Sequence, residues 1–246
     1  MSRRAAHLSQ AKRASIVTGV PGRPDDSGGA PEGHDGPADA LDVALGALVR
    51  WRGARKGVTI VAIDGHGGSG KSTIAESLCA KTGASLVHTD DFFMPSGQRG
   101  LGPSGCEPWR VPAAPAGETG WDLGSFYDVV RLRVEALEPL RAGHQAVFRA
   151  FNWGSGFVSS EETRVEPSSL VLLEGVYSGA PELADLVDRA VCVDTPEPER
   201  LRRLRDRVAP EDWDEEWLRA EKEYFAGTRS LQSFDLVVRG TGAGFP

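Results

Sequence analysis

Short apolar runs alternate with amphipathic stretches along most of this chain. The apolar runs predict six strands, at 58–63, 84–88, 145–151, 170–173, 190–193 and 236–238. Two of them, 170–173 and 190–193, are continuously apolar, as expected of central strands in a parallel sheet. Apolar residues that recur every three or four positions predict helices, at about 41–53, 72–79, 126–143, 197–208 and 211–226. Strands alternating with helices predict the α/β fold class, a parallel sheet with helices on both faces.

Two stretches fall outside this pattern. Residues 1–38 begin with basic side chains and continue into a segment rich in glycine, proline and aspartate. Such a composition cannot bury enough apolar surface to offset the entropy lost on ordering. We therefore expect a disordered tail over 1–38 and one domain over 39–246. Residues 95–120 also hold many glycines and prolines without periodicity, and a loop of that length is usually functional or mobile.

A glycine-rich motif directly follows the first predicted strand. The segment 65–72 matches G-x-x-x-x-G-K-[ST] in full and lies between a strand and a helix. Glycines let backbone N–H groups curl around an anion, and the helix N-terminus adds positive partial charge. Lys71 would reach the β- and γ-phosphates, and the Ser72 hydroxyl would bind Mg²⁺. The predicted nucleotide-binding residues are Gly65, Gly67, Gly68, Ser69, Gly70, Lys71, Ser72 and Thr73.

Acidic residues stand at the ends of three further predicted strands. They are Asp90 and Asp91, Glu174, and Asp194. Ligands of open α/β sheets gather beyond the carboxyl ends of the strands, although any one of these acids could also be a helix cap or a solvated charge. Mg²⁺ with ATP needs oxygen ligands, and a hydroxyl acceptor needs a carboxylate near its proton. We predict Glu174 in the metal shell and Asp90 as the general base.

An arginine-rich helix is predicted further along the chain. Its arginines at 200, 203 and 207 share one helical face, while Leu201 and Leu204 share another. A basic face of this kind is usually solvated. Beside a phosphate-binding loop, the alternative is a closing lid whose arginines stabilise charge on the transferred phosphoryl group. We favour the lid, with Arg200 and Arg203 as its catalytic candidates.

Composition and charge narrow the classes of partner. The net charge of −7 argues against a general nucleic-acid binder. No apolar stretch approaches the roughly 20 residues that a membrane helix needs. Three cysteines share no metal-binding spacing, and Cys79 and Cys192 lie in apolar runs, which favours small core residues in a reducing cytoplasm. We expect a cytoplasmic protein with neither a membrane nor a nucleic-acid partner, and the oligomeric state stays open.

Five segments of the chain, taken in order, resemble the uridine kinase-like branch of the P-loop kinases, which includes uridine-cytidine kinase and phosphoribulokinase. The segments are Ile63-Asp64-Gly65 through Lys71-Ser72-Thr73, Thr89-Asp90-Asp91-Phe92-Phe93, Trp121-Asp122, Leu172-Leu173-Glu174-Gly175, and the arginine-rich stretch 200–206. The resemblance covers residues 58–240 approximately. The phosphate-binding loop is specific to the superfamily, and the second and fourth segments narrow the resemblance to this branch. The resemblance implies a P-loop NTPase fold with a helical lid.

The resemblance also implies roles for individual residues. Asp90 is similar to the base that takes the proton of a nucleoside 5′-hydroxyl, and Asp122 to the carboxylate that accepts both ribose hydroxyls. Glu174 resembles the acid on the magnesium side. The family reads a pyrimidine with a Tyr-Asp-Phe segment followed by a histidine, whereas this chain has Phe151-Asn152-Trp153 and no histidine behind it. Phe151 and Trp153 could stack on a ring or pack in the core; with Arg149 they complete the predicted acceptor-binding set.

The function that these residues favour is an ATP-dependent small-molecule kinase. ATP would donate its γ-phosphoryl group to a primary alcohol. Among such alcohols, the resemblance favours a nucleoside with its 5′-hydroxyl as the acceptor. A pantothenate-like or sugar alcohol is the second acceptor class. A GTP-binding switch or a regulatory ATPase without a small-molecule substrate is a different class of function. Guanine recognition usually uses an Asn-Lys-x-Asp motif, and the sole asparagine, Asn152, is followed by Trp153, which disfavours the switch.

Overall fold

The computed structural model describes residues 37–52, 56–94, 126–206 and 215–240. Its strands are β1 (Thr59–Asp64), β2 (Ser85–His88), β3 (Ala146–Phe148), β4 (Phe151–Asn152), β5 (Phe157–Val158), β6 (Thr163–Val165), β7 (Leu170–Glu174), β8 (Arg189–Asp194) and β9 (Leu236–Arg239). The helices α1 (Pro37–Arg52), α2 (Lys71–Thr82) and α4 (Glu197–Arg205) are α-helical throughout. Helix α3 covers 129–141 and is π-helical over Leu132–Leu137; helix α5 (Glu215–Glu223) continues as a π-helical segment, Tyr224–Thr228.

The centre of the domain is a parallel sheet of five strands in the order β2-β7-β1-β8-β9. Glu174 at the end of β7 is level with Ile63 of β1 and with His88 of β2. The carboxyl ends of these three strands therefore meet at one edge of the sheet, where ligands of this fold class bind. The predicted α/β fold is confirmed.

Both faces of the sheet are covered by helices. On one face, α1 and α2 pack through Leu48, Ile74 and Leu78 against the strands. On the other face, α3 packs through Leu132 together with a group of aromatic side chains. Every residue of β1 and β7 is buried, which explains why these strands are apolar on both faces rather than alternating.

The predicted strand at 145–151 is wrong in its extent. It divides into β3 and β4, which pair antiparallel with β6 and β5 and lie outside the central sheet. The alternating pattern has a physical reason, because Val147 is exposed while Phe148 is buried. An antiparallel ribbon with one solvated face is built in this way.

Several helix boundaries also differ from the prediction. The π-helical part of α3 precedes Pro139, whose ring would clash with the carbonyl of Glu135 in a regular α-helix, so a wider turn relieves the crowding. Helix α1 begins at Pro37, two residues inside the predicted tail. The rest of that tail and the whole loop 95–120 lie outside the described residues. Within the described ranges, no helix has an apolar stretch long enough to cross a membrane.

Candidate active site

The glycine-rich loop, residues 65–70, connects the end of β1 to the start of α2. We name it the phosphate loop after the ligand that its motif predicts. Gly65, Gly68 and Gly70 have φ angles of 145°, 77° and 91°, which side chains with a Cβ rarely adopt. A Cβ on Gly68 would also lie 2.5 Å from the carbonyl oxygen of Arg200. The loop therefore needs glycine for its backbone angles and for the close approach of α4. Its shape and the start of a twelve-residue helix suit the binding of phosphate.

Lys71 and Ser72 open helix α2 and face the same edge of the sheet. The Lys71 side chain is buried, and its Nζ donates a hydrogen bond to the His66 carbonyl oxygen at 3.3 Å. The Ser72 hydroxyl donates to Oε1 of Glu174 at 2.7 Å. The loop thus brings a cation and a hydroxyl to the place where the motif predicts phosphates and Mg²⁺.

Glu174 ends β7 with its carboxylate buried. Besides accepting from Ser72, it lies 2.6 Å through Oε2 from Nδ1 of His88 at the end of β2. The hydroxyl and the carboxylate are hard oxygen ligands of the kind that Mg²⁺ prefers, and Mg²⁺ usually keeps several waters and substrate phosphates beside one or two carboxylates. The structure brings together the two residues predicted for the metal. His88 was missed, although its place at a strand end was a usable signal.

Asp90 follows β2 in a short 3₁₀ turn, Thr89–Phe92. The Tyr127 hydroxyl donates to Oδ1 of Asp90 at 3.2 Å. Burial raises the pKa of Tyr127 well above its usual value, and the nearby Asp90 charge adds to this, so the phenol stays a donor. Because β2 is adjacent to β7 in the sheet, Asp90 stands at the same edge as Glu174.

The two predicted lid arginines lie against the phosphate loop. Nη1 of Arg203 donates to the Gly68 carbonyl oxygen at 3.1 Å, and its Nε donates to Glu199 at 3.0 Å. Nη1 of Arg200 lies 3.5 Å from Oε1 of Glu221. Their side chains are only 14% and 11% exposed, so these two arginines do not form a solvated face. The third arginine of the predicted face, at 207, lies outside the described residues.

Two buried carboxylates near the loop were missed by sequence reasoning. Asp64 accepts hydrogen bonds from the backbone N–H groups of Gly65, Tyr177 and Gly179 and from the Tyr224 hydroxyl, at 2.7–3.0 Å. Burial raises the pKa of Asp64 although these hydrogen bonds oppose the shift. This carboxylate ties the loop after β7 to the start of the phosphate loop.

The second is Glu221 on helix α5. Its Oε1 lies 2.7 Å from Nδ1 of His66, and its Oε2 accepts from the Gly67 N–H at 2.9 Å. Burial works to raise the pKa of Glu221, but its interactions with His66, Gly67 and Lys71 together outweigh this effect, so the pKa is lowered. In the sequence, Glu221 is one of many charges in an acidic stretch, and only the fold distinguishes it.

An aromatic cluster lies beside Asp90 and includes its hydrogen-bond partner Tyr127. Trp153 packs on Phe93 with ring centroids 4.6 Å apart and meets Phe151 edge-on at 5.0 Å. Trp217 of helix α5 meets Tyr127 edge-on at 6.0 Å. We define the aromatic cluster as Phe93, Phe126, Tyr127, Phe151, Trp153, Tyr177 and Trp217.

The other predicted acceptor residues are placed differently. Phe151 is buried in the core, whereas Trp153 is half-buried and Arg149 is exposed. Oδ1 of Asn152 accepts hydrogen bonds from the N–H groups of Gly154 and Ser155, so it caps the turn between β4 and β5. Asp122 lies outside the described residues.

Comparisons with known proteins identify the fold. No protein-family model and no curated protein matches the sequence. Among solved structures, a possible uridine kinase from Bacillus stearothermophilus matches with a TM-score of 0.55 and 21% identity, over 82% of this chain and 98% of that one. D-glycerate 3-kinase from Cryptococcus neoformans matches with a TM-score of 0.53 and 17% identity, over 85% and 99%.

A third solved structure also matches this chain, and its name refers to a different substrate. A candidate fructose transport system kinase from a Silicibacter species matches with a TM-score of 0.52 and 20% identity, over 80% of this chain and 98% of that one. This chain therefore shares the α/β P-loop fold of these three structures, as the motifs predict.

Proposed function

We propose that this chain is an ATP-dependent kinase that transfers the γ-phosphoryl group to a primary hydroxyl of a small molecule. One observation carries the proposal: the phosphate loop with Lys71, the Ser72–Glu174 pair and Asp90 stand at a single sheet edge. These groups supply the three parts that phosphoryl transfer needs, which are phosphate binding, metal ligands and a base. The likeness of the fold to proteins named as kinases supports the same conclusion.

The residues divide the chemistry between them. The loop N–H groups and Lys71 bind and orient the phosphates, and Arg200 and Arg203 are the cations beside the loop that can oppose charge on the transferred group. Mg²⁺, held by Ser72 and Glu174, would neutralise charge on the β- and γ-phosphates when bound. Asp90 accepts the proton of the acceptor hydroxyl. As that oxygen bonds to the γ-phosphorus, the bond from phosphorus to the bridging oxygen breaks and ADP leaves.

A nucleoside is the acceptor that we propose first. The resemblance implies that Asp122 accepts hydrogen bonds from the two ribose hydroxyls. The half-buried Trp153 beside Phe93 offers an aromatic surface for a base. Because Asn152 caps a turn, it lends no support to base reading through its carbonyl oxygen, so we expect weak discrimination between bases. A sugar, glycerate or pantothenate-like alcohol is the competing acceptor class, and two fold neighbours carry such names.

A coupled ADP-release assay tests the proposal. The panel is uridine, cytidine, adenosine, D-fructose, D-glycerate and pantothenate, each with MgATP and with a control lacking any acceptor. We expect ADP release that depends on an alcohol, with a nucleoside the best substrate. Release of ADP at the same rate without an acceptor would instead indicate a regulatory ATPase, and turnover of pantothenate or a sugar alone would contradict the nucleoside assignment.

A further inference from the structure

One face of helix α5 and its π-helical continuation contacts both the phosphate loop and the aromatic cluster. Trp217, Glu221 and Tyr224 are spaced four and three residues apart, so they project from the same side of the helix. Trp217 packs in the aromatic cluster, 5.1 Å from Phe126. The Tyr224 hydroxyl donates to buried Asp64 at 2.7 Å. The helix is therefore fixed at both ends of this face independently of Glu221.

Glu221, between these two anchors, is directed at the tip of the phosphate loop. One carboxylate oxygen accepts the Gly67 N–H at 2.9 Å, and the other lies 2.7 Å from Nδ1 of His66 and 3.5 Å from Arg200 of α4. The His66 ring also rests on the ring of Phe225 in the same helix, with centroids 4.1 Å apart. Glu221 thus contacts the backbone and the side chain of consecutive loop residues.

Burial makes these contacts consequential. The side chain of Glu221 is 2% exposed, and a buried carboxylate is costly unless it is paired and hydrogen-bonded. The Gly67 peptide is followed by Gly68, whose backbone is in the left-handed region and whose carbonyl oxygen accepts from Arg203. Fixing the Gly67 N–H therefore constrains the peptide that sets the orientation of the next loop residues.

We propose that Glu221 is a positioning residue that holds the tip of the phosphate loop in its nucleotide-binding shape. The inference rests on the proposed function for the identity of the ligand, ATP, and goes beyond it in assigning a role to a residue outside the motif. Glu221 acts through Gly67 and His66 and does not touch the reacting atoms. Removing it lowers the affinity for nucleotide more than it lowers turnover at saturating nucleotide.

The opposite role is a brake. A carboxylate on a loop N–H could compete with a phosphate oxygen for the same donor, and its removal would then tighten nucleotide binding. The geometry favours positioning, because Glu221 accepts from one loop N–H, that of Gly67, while its other carboxylate oxygen is held by the side chains of His66 and Arg200. The direction of the change in affinity separates the two roles.

The experiment measures the Kd for MgATP by titration calorimetry on the full chain, together with kcat and KM for both substrates. We expect Glu221→Ala to raise the Kd about tenfold, since a buried N–H and an imidazole lose their acceptor. Glu221→Gln keeps an acceptor oxygen but loses the charge, and should raise the Kd by about threefold. Glu223→Ala, an exposed position on the same helix, is the matched control and should change neither Kd nor melting temperature.

Each result has a definite meaning. A tighter or unchanged Kd in Glu221→Gln, with the melting temperature of the wild type, would overturn the positioning role. If Glu221→Ala fails to fold, the Gln variant still decides the question. If the KM for ATP rises while the acceptor KM and kcat stay within about twofold, the role is positioning rather than general stability. A wild-type chain that binds MgATP but phosphorylates no alcohol would contradict the proposed kinase function. The Kd values of the Glu221 variants would still test the positioning role, since binding is measured directly.

Discussion

The candidate site has two parts that differ in their chemical groups. We call the surroundings of the phosphate loop the phosphate half, and the surroundings of Asp90, where we propose that the acceptor binds, the acceptor half. Around the loop, backbone N–H groups and buried carboxylates predominate, and Asp64, Glu174 and Glu221 each accept a hydrogen bond at 2.6–2.9 Å. Around Asp90, rings predominate, and the contacts between Phe93, Trp153 and their neighbours are those of packed aromatic faces and edges.

Under the proposed function, this difference follows from what each half would recognise. A triphosphate presents the same charged oxygens in every case, so donors fixed by the backbone can serve it without adjustment. An acceptor is distinguished by its shape and apolar surface, which side chains read and which can be changed one residue at a time. The phosphate half should therefore be intolerant of substitution, while the acceptor half should tune specificity.

The largest expected effect tests the phosphate half. Lys71→Ala removes the cation of the loop and should abolish measurable phosphoryl transfer, a loss of at least about 10³-fold in kcat. The fold should survive, since the substitution suits a helix. Lys81→Ala, an exposed lysine in the last turn of the same helix, is the control in the ADP-release assay and should behave as wild type. Wild-type turnover in Lys71→Ala would remove the assignment of the loop.

The next effect addresses the boundary between the two halves. Asp90→Asn keeps the shape and an acceptor for the Tyr127 hydroxyl but cannot take the proton, so kcat should fall by about 10²-fold or more. Binding of MgATP, measured by calorimetry, should be unchanged. Asp91→Asn is the neighbouring control. If the large loss appears in Asp91→Asn instead, the base is one residue further along the chain.

The two halves also differ in how far the sequence predicted them. The loop, its lysine and the acid at the end of β7 are local signals, because a strand, a turn and a helix follow one another within a few residues. Glu221 and Trp217 reach the site from a helix about 150 residues away from the loop, and their contacts depend on how α5 packs. Nothing in an acidic stretch distinguishes the one carboxylate that is buried.

The strand errors have a similar cause. The alternation at 145–151 is real, but pairing partners decide whether such a stretch joins the central sheet, and β6 and β5 are those partners. The side chain of Asn152 carries polar atoms that a ligand could use, but the tight turn at Gly154 takes its Oδ1. Local sequence shows that a polar group is present and does not show which neighbour claims it.

The third prediction asks whether the acceptor half recognises ribose. A carboxylate can accept hydrogen bonds from both hydroxyls of a diol, the role that the resemblance gives to Asp122. A nucleoside lacking the 2′-hydroxyl would leave part of that carboxylate unpaired, at a cost of ~1–3 kcal/mol. We expect kcat/KM for 2′-deoxyuridine to be at least about tenfold below that for uridine. Equal values would contradict the role of Asp122.

The smallest effect tests whether the aromatic cluster serves the acceptor alone. Trp153→Leu removes the ring that we propose as a surface for the acceptor's base. An aromatic contact is worth ~0.5–1.5 kcal/mol beyond the area it buries. The acceptor KM should rise by about fivefold while the KM for ATP stays constant, because Trp153 belongs to the cluster rather than to the loop. Phe157→Ala, on the adjacent strand β5 with 66% of the residue exposed, is the matched control and should leave both constants unchanged. A parallel rise in both KM values would show that the two halves are coupled through the rings, and the distinction drawn between them would then fail.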